Sequence, residues 1–257
     1  MFLLKTVDAL EEEDYCLDEY FAFNSSYLYE SFLSFYFRNR SIKNNSLQHG
    51  MYYKYIKQIP LDIINYENVC AEKLLCWGRY SKEQISEYLY SDIKAIIFGY
   101  PKIIANAKKK EERNLIYVFL PRGIYLNESL ELIGFLANTG YEYLIRPHPS
   151  IRELVAPVIK KHDNFQLDVS SSLVENLKNF NYLVCIGFNS TAIFEAILYD
   201  QKIMQYITGN DEFIMEDAVK LERHSILEEF IEQLAASNCS KLEGNDMSRR
   251  SDQYFSL

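Results

Sequence analysis

Cysteine is scarce and unpaired in this sequence. Five cysteines, Cys16, Cys70, Cys76, Cys185 and Cys239, are scattered with no CxxC or comparable spacing. That excludes a disulfide framework and a cysteine-based metal site, and reads as buried thiols in a reducing compartment. Long apolar runs are missing too: nothing approaches the roughly 20 residues that span a bilayer. Met1 to Leu4 followed by the acidic run Glu11 to Asp14 lacks the basic and apolar regions of a signal peptide. The expectation is a cytoplasmic protein. Basic excess is also absent: 27 Lys and Arg stand against 36 Asp and Glu, a formal net charge of -9. Such a field repels nucleic acid and anionic lipid, so any phosphate must be held by local devices such as helix N-termini, a His or an Arg. There is no internal repeat and no low-complexity block.

An apolar fraction of 48% with 25% charge is the balance of a chain that buries a core. At 257 residues the natural reading is one full domain plus a fragment or small second domain. Tryptophan occurs once, yet 21 Tyr and 16 Phe raise the aromatics to 15%, concentrated in the first hundred residues. From Asp18 to Arg40 this density predicts a largely buried helix with Ser25 and Ser26 as its N-cap. The aromatic surface is read as packing, with a partner subunit or a membrane edge as the alternatives.

A short strand is expected at Ser46 to Gln48. From about Leu74 onward short apolar runs alternate with helical stretches, the signature of βα units and a doubly wound parallel sheet. Strands are expected at Leu74 to Trp77, Ala95 to Phe98, Leu115 to Leu120, Tyr141 to Ile145, Phe165 to Leu167, Tyr182 to Ile186 and Lys202 to Tyr206. Helices are expected at Ser81 to Tyr90, Asn127 to Asn138, Ile151 to Lys161, Ser172 to Asn179 and Ser190 to Leu198, and more weakly at Asp211 to Val219 and His224 to Ala236. The polar, aperiodic residues 237–257 read as a flexible tail.

In open α/β sheets ligands bind beyond the carboxyl ends of the strands, so polar residues there are the candidates. His49-Gly50, followed by Lys54, offers a general base or phosphate contact beside a Gly that lets backbone approach a ligand. Arg146-Pro147-His148-Pro149-Ser150 fixes His148 between two prolines, with Ser150 capping the next helix. Gly187 to Thr191 opens a helix carrying Glu195, where Ser190, Thr191 and free amides form an anion site and Glu195 could accept from ribose hydroxyls. Ser170-Ser171-Ser172 is chiefly a cap, with Ser171 a supporting contact, and Arg122 in Leu120-Pro121-Arg122-Gly123 could pair with a phosphate. His162 and His224 sit in charged surroundings and read as solvent-facing.

Taken in order, these strings resemble one family. QHGMYYK resembles the HG-x-x-x-K element of the CDP-glycerol glycerophosphotransferases that build teichoic acids. WGRYSKEQI and FGYPK resemble the W-G and G-x-P segments of the same enzymes and of related capsule transferases. RPHPS is similar to the HP motif of bacterial sialyltransferases and capsular Kdo transferases, and YLVCIGFNSTAIFEAILYDQKIMQY to their Ser-Ser/Thr element with its downstream acid. The acidic D/E-D/E-G motif of the sialyltransferases is not evident. The resemblance spans roughly Ser46 to Tyr206 and implies a GT-B fold, with residues 1–70 a reduced, largely helical acceptor-side segment and residues 71–236 the Rossmann-like donor-binding domain.

It further implies a transferase moving a sugar or polyol from a CMP-, CDP- or UDP-activated donor to a surface polysaccharide or glycolipid acceptor. His49 would be the base, with His148, Ser190 and Thr191 on the donor phosphate. Inversion without a metal or resident cofactor is the mechanism implied, and association with the inner membrane face or a capsule complex is compatible with it. Two alternatives stay open on the sequence: an enzyme of the UDP-GlcNAc 2-epimerase type, and a non-catalytic nucleotide-binding subunit of a capsule complex.

Overall fold

The tertiary structure is a computed structural model that describes residues 2–12, 17–52, 67–101, 110–188, 190–207, 219–222, 229, 231, 232 and 235. Among the described residues, ten strands form two all-parallel sheets. In the first, β1 (Glu19–Phe23), β2 (Lys43–Leu47), β3 (Lys73–Cys76) and β4 (Lys94–Ile97) lie side by side in chain order. The second contains β5 (Glu111–Leu120), β6 (Tyr143–Pro147), β7 (Phe165–Leu167), β8 (Phe180–Gly187), β9 (Ile203–Ile207) and β10 (Val219–Glu222). Its order is β10-β9-β8-β5-β6-β7. The chain therefore starts in the middle, winds outward to β7, returns to the other side of β5 and winds outward again. That reversal between β5 and β8 opens a crevice at their carboxyl ends, the usual ligand position in such sheets.

The second sheet is apolar on both faces because helices cover both. On β5, Tyr117 and Phe119 point into one core, shared with Cys185 and with Ile193 and Phe194 of a following helix. Ile116, Val118 and Leu120 point into the other, with Leu132, Ile145, Val155 and Ile186. This two-sided burial explains the continuous runs IYVFL and YLVCIG. The helices are α1 (Phe2–Glu12), α2 (Leu28–Arg38), α3 (Arg79–Ile85), α4 (Leu126–Leu136), α5 (Arg152–Ile159), α6 (Leu173–Asn179) and α7 (Thr191–Leu198). The first core also takes in Met51, Tyr52, Trp77, Tyr80 and Tyr100 from the neighbourhood of the first sheet, so the two units share apolar packing.

The N-terminal part departs from the expectation. It is not a reduced helical segment but a small parallel sheet with its own helices. Asp18 to Arg40 is not one helix: β1 comes first, and Asn24, at φ 63, turns the chain into α2. Asn tolerates that left-handed conformation. Ser25 and Ser26 do not cap α2, whose N-cap is Tyr27 without a side-chain cap bond. Instead the Ser25 amide donates to Ser46 Oγ at 2.9 Å and its hydroxyl accepts from the Cys70 amide at 3.1 Å, stitching the turn to β2 and the approach to β3. The sheets divide between Ile97 and Glu111, so residues 71–97, grouped with the donor-side domain by sequence, supply β3 and β4 of the first sheet.

Val219, expected to end a helix, opens strand β10. Glu229, Ile231, Glu232 and Ala235 are helical; the remainder of the two weakly expected C-terminal helices, including His224, and the expected tail lie outside the described residues. Cys70, Cys76 and Cys185 are free thiols, the latter two buried, whereas Cys16 and Cys239 lie outside the described residues. Among the described residues, no helix is long and apolar enough to cross a membrane.

Burial contrasts set a direct test of this packing. Ile145 is fully buried on β6, whereas Leu28 is 68% exposed on α2. In urea unfolding, Ile145→Ala is expected to cost about 2–5 kcal/mol through lost burial and a residual cavity, and Leu28→Ala no more than about 0.5 kcal/mol.

Candidate active site between the two sheets

His49 and Gly50 come directly after β2, so β2 sets where they stand. The His49 amide donates to Tyr52 Oη at 3.1 Å, and the imidazole packs edge-on against Phe23 and Tyr27 at centroid separations of 5.1 and 5.7 Å. Its Nδ1 lies 3.4 Å from the Tyr27 hydroxyl. Desolvation by these neighbours holds the imidazole pKa below its ordinary value. Gly50 adopts φ +76, and a Cβ there would stand 3.2 Å from Thr191 Oγ1. The glycine is needed for both conformation and clearance. Lys54 lies outside the described residues.

Met51 then carries its amide across to the second sheet, donating to Thr191 Oγ1 at 3.0 Å. Thr191 is the first residue of α7, with Ser190 as its N-cap. The turn after β2 thus meets the helix N-terminus after β8, where amides and the helix dipole favour an anion. Thr191 Oγ1 accepts from Met51 and retains its own proton to donate. Ser190 Oγ is shielded from solvent and has no hydrogen-bond partner among the described residues.

Glu195, one turn along α7, is only 6% exposed and accepts from Tyr100 Oη at 2.6 Å. Tyr100 comes after β4, so this bond is a second link between the sheets. The carboxylate expected to receive ribose hydroxyls is instead buried against the first sheet's connecting segment, because its position on α7 lies at the shared core.

His148 stands just past β6 and is exposed at the rim. Its Nδ1 accepts from the Ser150 amide at 3.2 Å and lies 2.8 Å from Ser150 Oγ. An Nδ1 that accepts from a main-chain amide leaves the proton of the neutral ring on Nε2, the nitrogen available to an anion. Ser150 is therefore not the cap expected for α5; His148 itself caps the short 3-10 turn Pro149–Ile151 that precedes it. Burial first, and then the charge of Arg122, lowers the His148 pKa. Arg122 lies past the end of β5, whose Leu120 pairs with Pro147 of β6, so Arg122 and His148 share one stretch of rim. Thr191 lies past β8 on the other side of β5. Two strand spacings, about 10 Å, separate β6 from β8, a span suited to a nucleotide's phosphates.

Arg146 does not belong to this rim group. Its guanidinium pairs with Asp168 at 2.6 Å and donates to Ser170 Oγ at 2.9 Å. Tyr117 Oη donates to Asp168 as well, and Asn176 Nδ2 donates to Ser170 Oγ at 2.9 Å. Asp168 is 3% exposed at its side chain, so the arginine is consumed in neutralising it. Burial alone would raise the Asp168 pKa, but bonds from Ser170, Tyr117 and Arg146 bring it below the ordinary range. Ser172 caps α6, accepting from the Glu175 amide at 3.2 Å as expected for that serine run. Ser171 stands exposed between the cap and the network.

Several residues missed by sequence reasoning organise the site: Gln48 and Ser81 behind the His49 turn, Tyr100 across from Glu195, and Asp168 opposite Arg146. Only Asp168 carried a usable signal, a lone acid directly after a strand. The partners of the others are distant in sequence.

No protein-family model matches this sequence, and no curated protein matches it. Solved structures do. Arabidopsis thaliana UGT89C1 complexed with UDP aligns at TM-score 0.61 and 12% identity, over 98% of this chain and 72% of the other. The glycotransferase of kitacinnamycin aligns at TM-score 0.58 and 10% identity, over 98% and 75%. A mutant of TarM from S. aureus, in complex with fondaparinux, alpha-GlcNAc-glycerol and UDP, aligns at TM-score 0.54 and 14% identity, over 83% and 48%. The chain spans about half the length of TarM, 47% and 48% in two structures. These likenesses show the fold: two parallel α/β sheets arranged as in GT-B glycosyltransferases.

Replacing Arg146 by Met leaves Asp168 buried without its counter-charge and is expected to cost about 3 kcal/mol, read from urea midpoints. The Asp168 network also predicts acid sensitivity. Because its folded pKa is depressed, its stabilisation is complete above the ordinary aspartate value of about 3.9 and is lost as pH falls through the lower folded value. Asp168→Asn is expected to flatten stability against pH in that acid window, as measured by thermal melts from pH 2 to 5.

Proposed function

We propose that this chain is a GT-B transferase that moves a sugar or polyol from a nucleotide-activated donor to a hydroxyl of a surface polysaccharide or glycolipid, with inversion and without a metal. The observation that carries this reading is the 3.0 Å bond from the Met51 amide to Thr191 Oγ1. It brings the turn that carries His49, whose pKa partial burial lowers, onto the anion-favouring start of α7, and in this reading it sets a base beside a phosphate site.

In this reading the donor phosphates lie along the rim from α7 to β6. The Thr191 hydroxyl, the first amides of α7, the His148 Nε2 proton and Arg122 neutralise them and the charge that develops on the departing nucleotide. Arg146 and Glu195 are left out of this reading, since Asp168 and Tyr100 engage them, and Ser190, the N-cap of α7 with its hydroxyl unpartnered among the described residues, remains a phosphate contact beside Thr191. On the other side, His49 Nδ1 lies 3.4 Å from the Tyr27 hydroxyl, and the tautomer with its proton on Nδ1 would present the Nε2 lone pair to the acceptor hydroxyl. His49 takes the hydroxyl proton, the acceptor oxygen bonds to the donor's reacting centre, and the bond from that centre to the nucleotide's phosphate oxygen breaks. Positioning and fixed dipoles supply the catalysis.

Calorimetric titration with CDP, CMP and UDP tests the donor side: saturable binding of at least one is expected, and none at millimolar concentration would sink the proposal. His49→Ala is expected to lower kcat by about 10²–10⁴-fold while leaving nucleotide affinity within about twofold. The base must be deprotonated to act, and its depressed pKa keeps it so at lower pH than a free histidine. The acid limb of kcat/KM is accordingly expected below about pH 6.5, and Tyr27→Phe should shift that limb.

A further inference from the structure

We infer that Gln48 is a positioning residue that holds His49 in register with the donor site through its buried carboxamide. The inference rests on the reading of His49 as the base. Gln48 is 1% exposed. Its Oε1 accepts from the Trp77 amide at 2.7 Å, and its Nε2 donates to Gly50 O at 2.7 Å and to Ser81 Oγ at 2.8 Å. A main-chain N–H only donates and a main-chain carbonyl only accepts, so the orientation of the amide group is fixed by its partners.

The bond to Gly50 closes a ring of chain around His49. Trp77 anchors that ring to the end of β3, and Ser81 anchors it to α3. The backbone amide of Gln48, donating to Leu75 O at 3.1 Å, continues the ladder up to the ring. Ser81 Oγ in turn lies 3.5 Å from Met51 Sδ, and Met51 supplies the amide to Thr191. One carboxamide therefore fixes the backbone immediately after His49, and through Met51 the spacing between the imidazole and Thr191. Any buried carboxamide must satisfy its donors and acceptor; what marks this one is that a partner is the carbonyl of the residue directly after His49.

Glutamate at this position separates positioning from packing. In Gln48→Glu a carboxylate oxygen faces the Gly50 carbonyl and the turn must open; once protonated, the acid again donates to Gly50 and accepts from Trp77. The variant should recover function as pH falls, the reverse of a wild type whose base is titrated away. Gln48→Met removes all three side-chain bonds at similar volume and should show no such recovery.

The test tracks the ring carbons of the four histidines by NMR in the full chain, with His49 assigned through His49→Ala. CDP titration and transfer rates are measured alongside. For Gln48→Glu at pH 8 the expected result is a displaced His49 resonance and an unchanged His148 resonance. CDP affinity should stay within about twofold and kcat should fall on the order of 10²-fold, the scale of a misplacement near 1 Å, with partial recovery toward pH 6. Ser81→Ala, which removes a single bond, should shift the His49 resonance less and keeps the test open if Gln48→Met does not fold. An unmoved His49 resonance in Gln48→Glu and Ser81→Ala, with only the melting temperature lowered, overturns the inference. A responsive His49 in a wild-type chain that binds no nucleotide and transfers nothing overturns the transferase reading instead, and leaves the hold of Gln48 on His49 standing.

Discussion

One hydrogen bond, from the Met51 amide to the Thr191 hydroxyl, is the constraint around which the site is arranged. It exists because Gly50 turns at positive φ and carries no Cβ, so backbone from the first sheet reaches the start of α7 in the second. A Cβ at that position would crowd the same hydroxyl, at 3.2 Å. The Tyr100 to Glu195 bond and the packing of Tyr80 against Phe194, at 6.3 Å between rings, extend the junction into the shared core. The imidazole of His49 is held by elements of one sheet, and the turn that carries it bonds, two residues later, to the other sheet.

Electrostatics at this junction are local. With a net charge of -9 the chain as a whole repels anions, yet the rim of the second sheet presents Arg122, His148 and the amides of α7. Both rim histidines have depressed pKa values, for different surroundings: aromatic desolvation at His49, and burial with the charge of Arg122 at His148. A neutral His49 can take a proton, and a neutral His148 with Nδ1 occupied by Ser150 can donate one hydrogen bond from Nε2. Arg146, next but one to His148 in sequence, contributes nothing to this field because Asp168 cancels it. The end of the strand separates the two: residues 146 and 147 still belong to β6, while 148 stands beyond its end.

The carboxyl rim was largely legible from residue order. Short apolar runs ahead of Arg122, His148 and Thr191 are recognisable because a strand covered on both faces must be apolar, whereas the turn beyond its end meets solvent and is polar; His49 follows the polar strand Lys-Asn-Asn-Ser-Leu and was legible from its His-Gly turn alone. The helix starts at α4 to α7 fell within one residue of expectation for the same reason. Strand β1 was not legible: five residues, Glu-Tyr-Phe-Ala-Phe, lie too close to the aromatic helix α2 for either period to stand out, and only the left-handed Asn24 separates them. The boundary between sheets was misplaced because β3 and β4 have the same composition as the strands of the second sheet, and pairing partners leave no mark on composition.

By itself, the sequence determined the period of each element, the identity of the polar residues at strand ends and the absence of basic or cysteine-rich chemistry, since these depend on neighbours along the chain. Tertiary structure alone decided which of those residues work together. It took Arg146 and Glu195 out of the rim by supplying Asp168 and Tyr100, and it brought Gln48, Trp77 and Ser81 together behind His49. Such pairings depend on which strands lie side by side and which helices face them, and a partner 22, 29 or 95 residues away is fixed by that arrangement rather than by local preference.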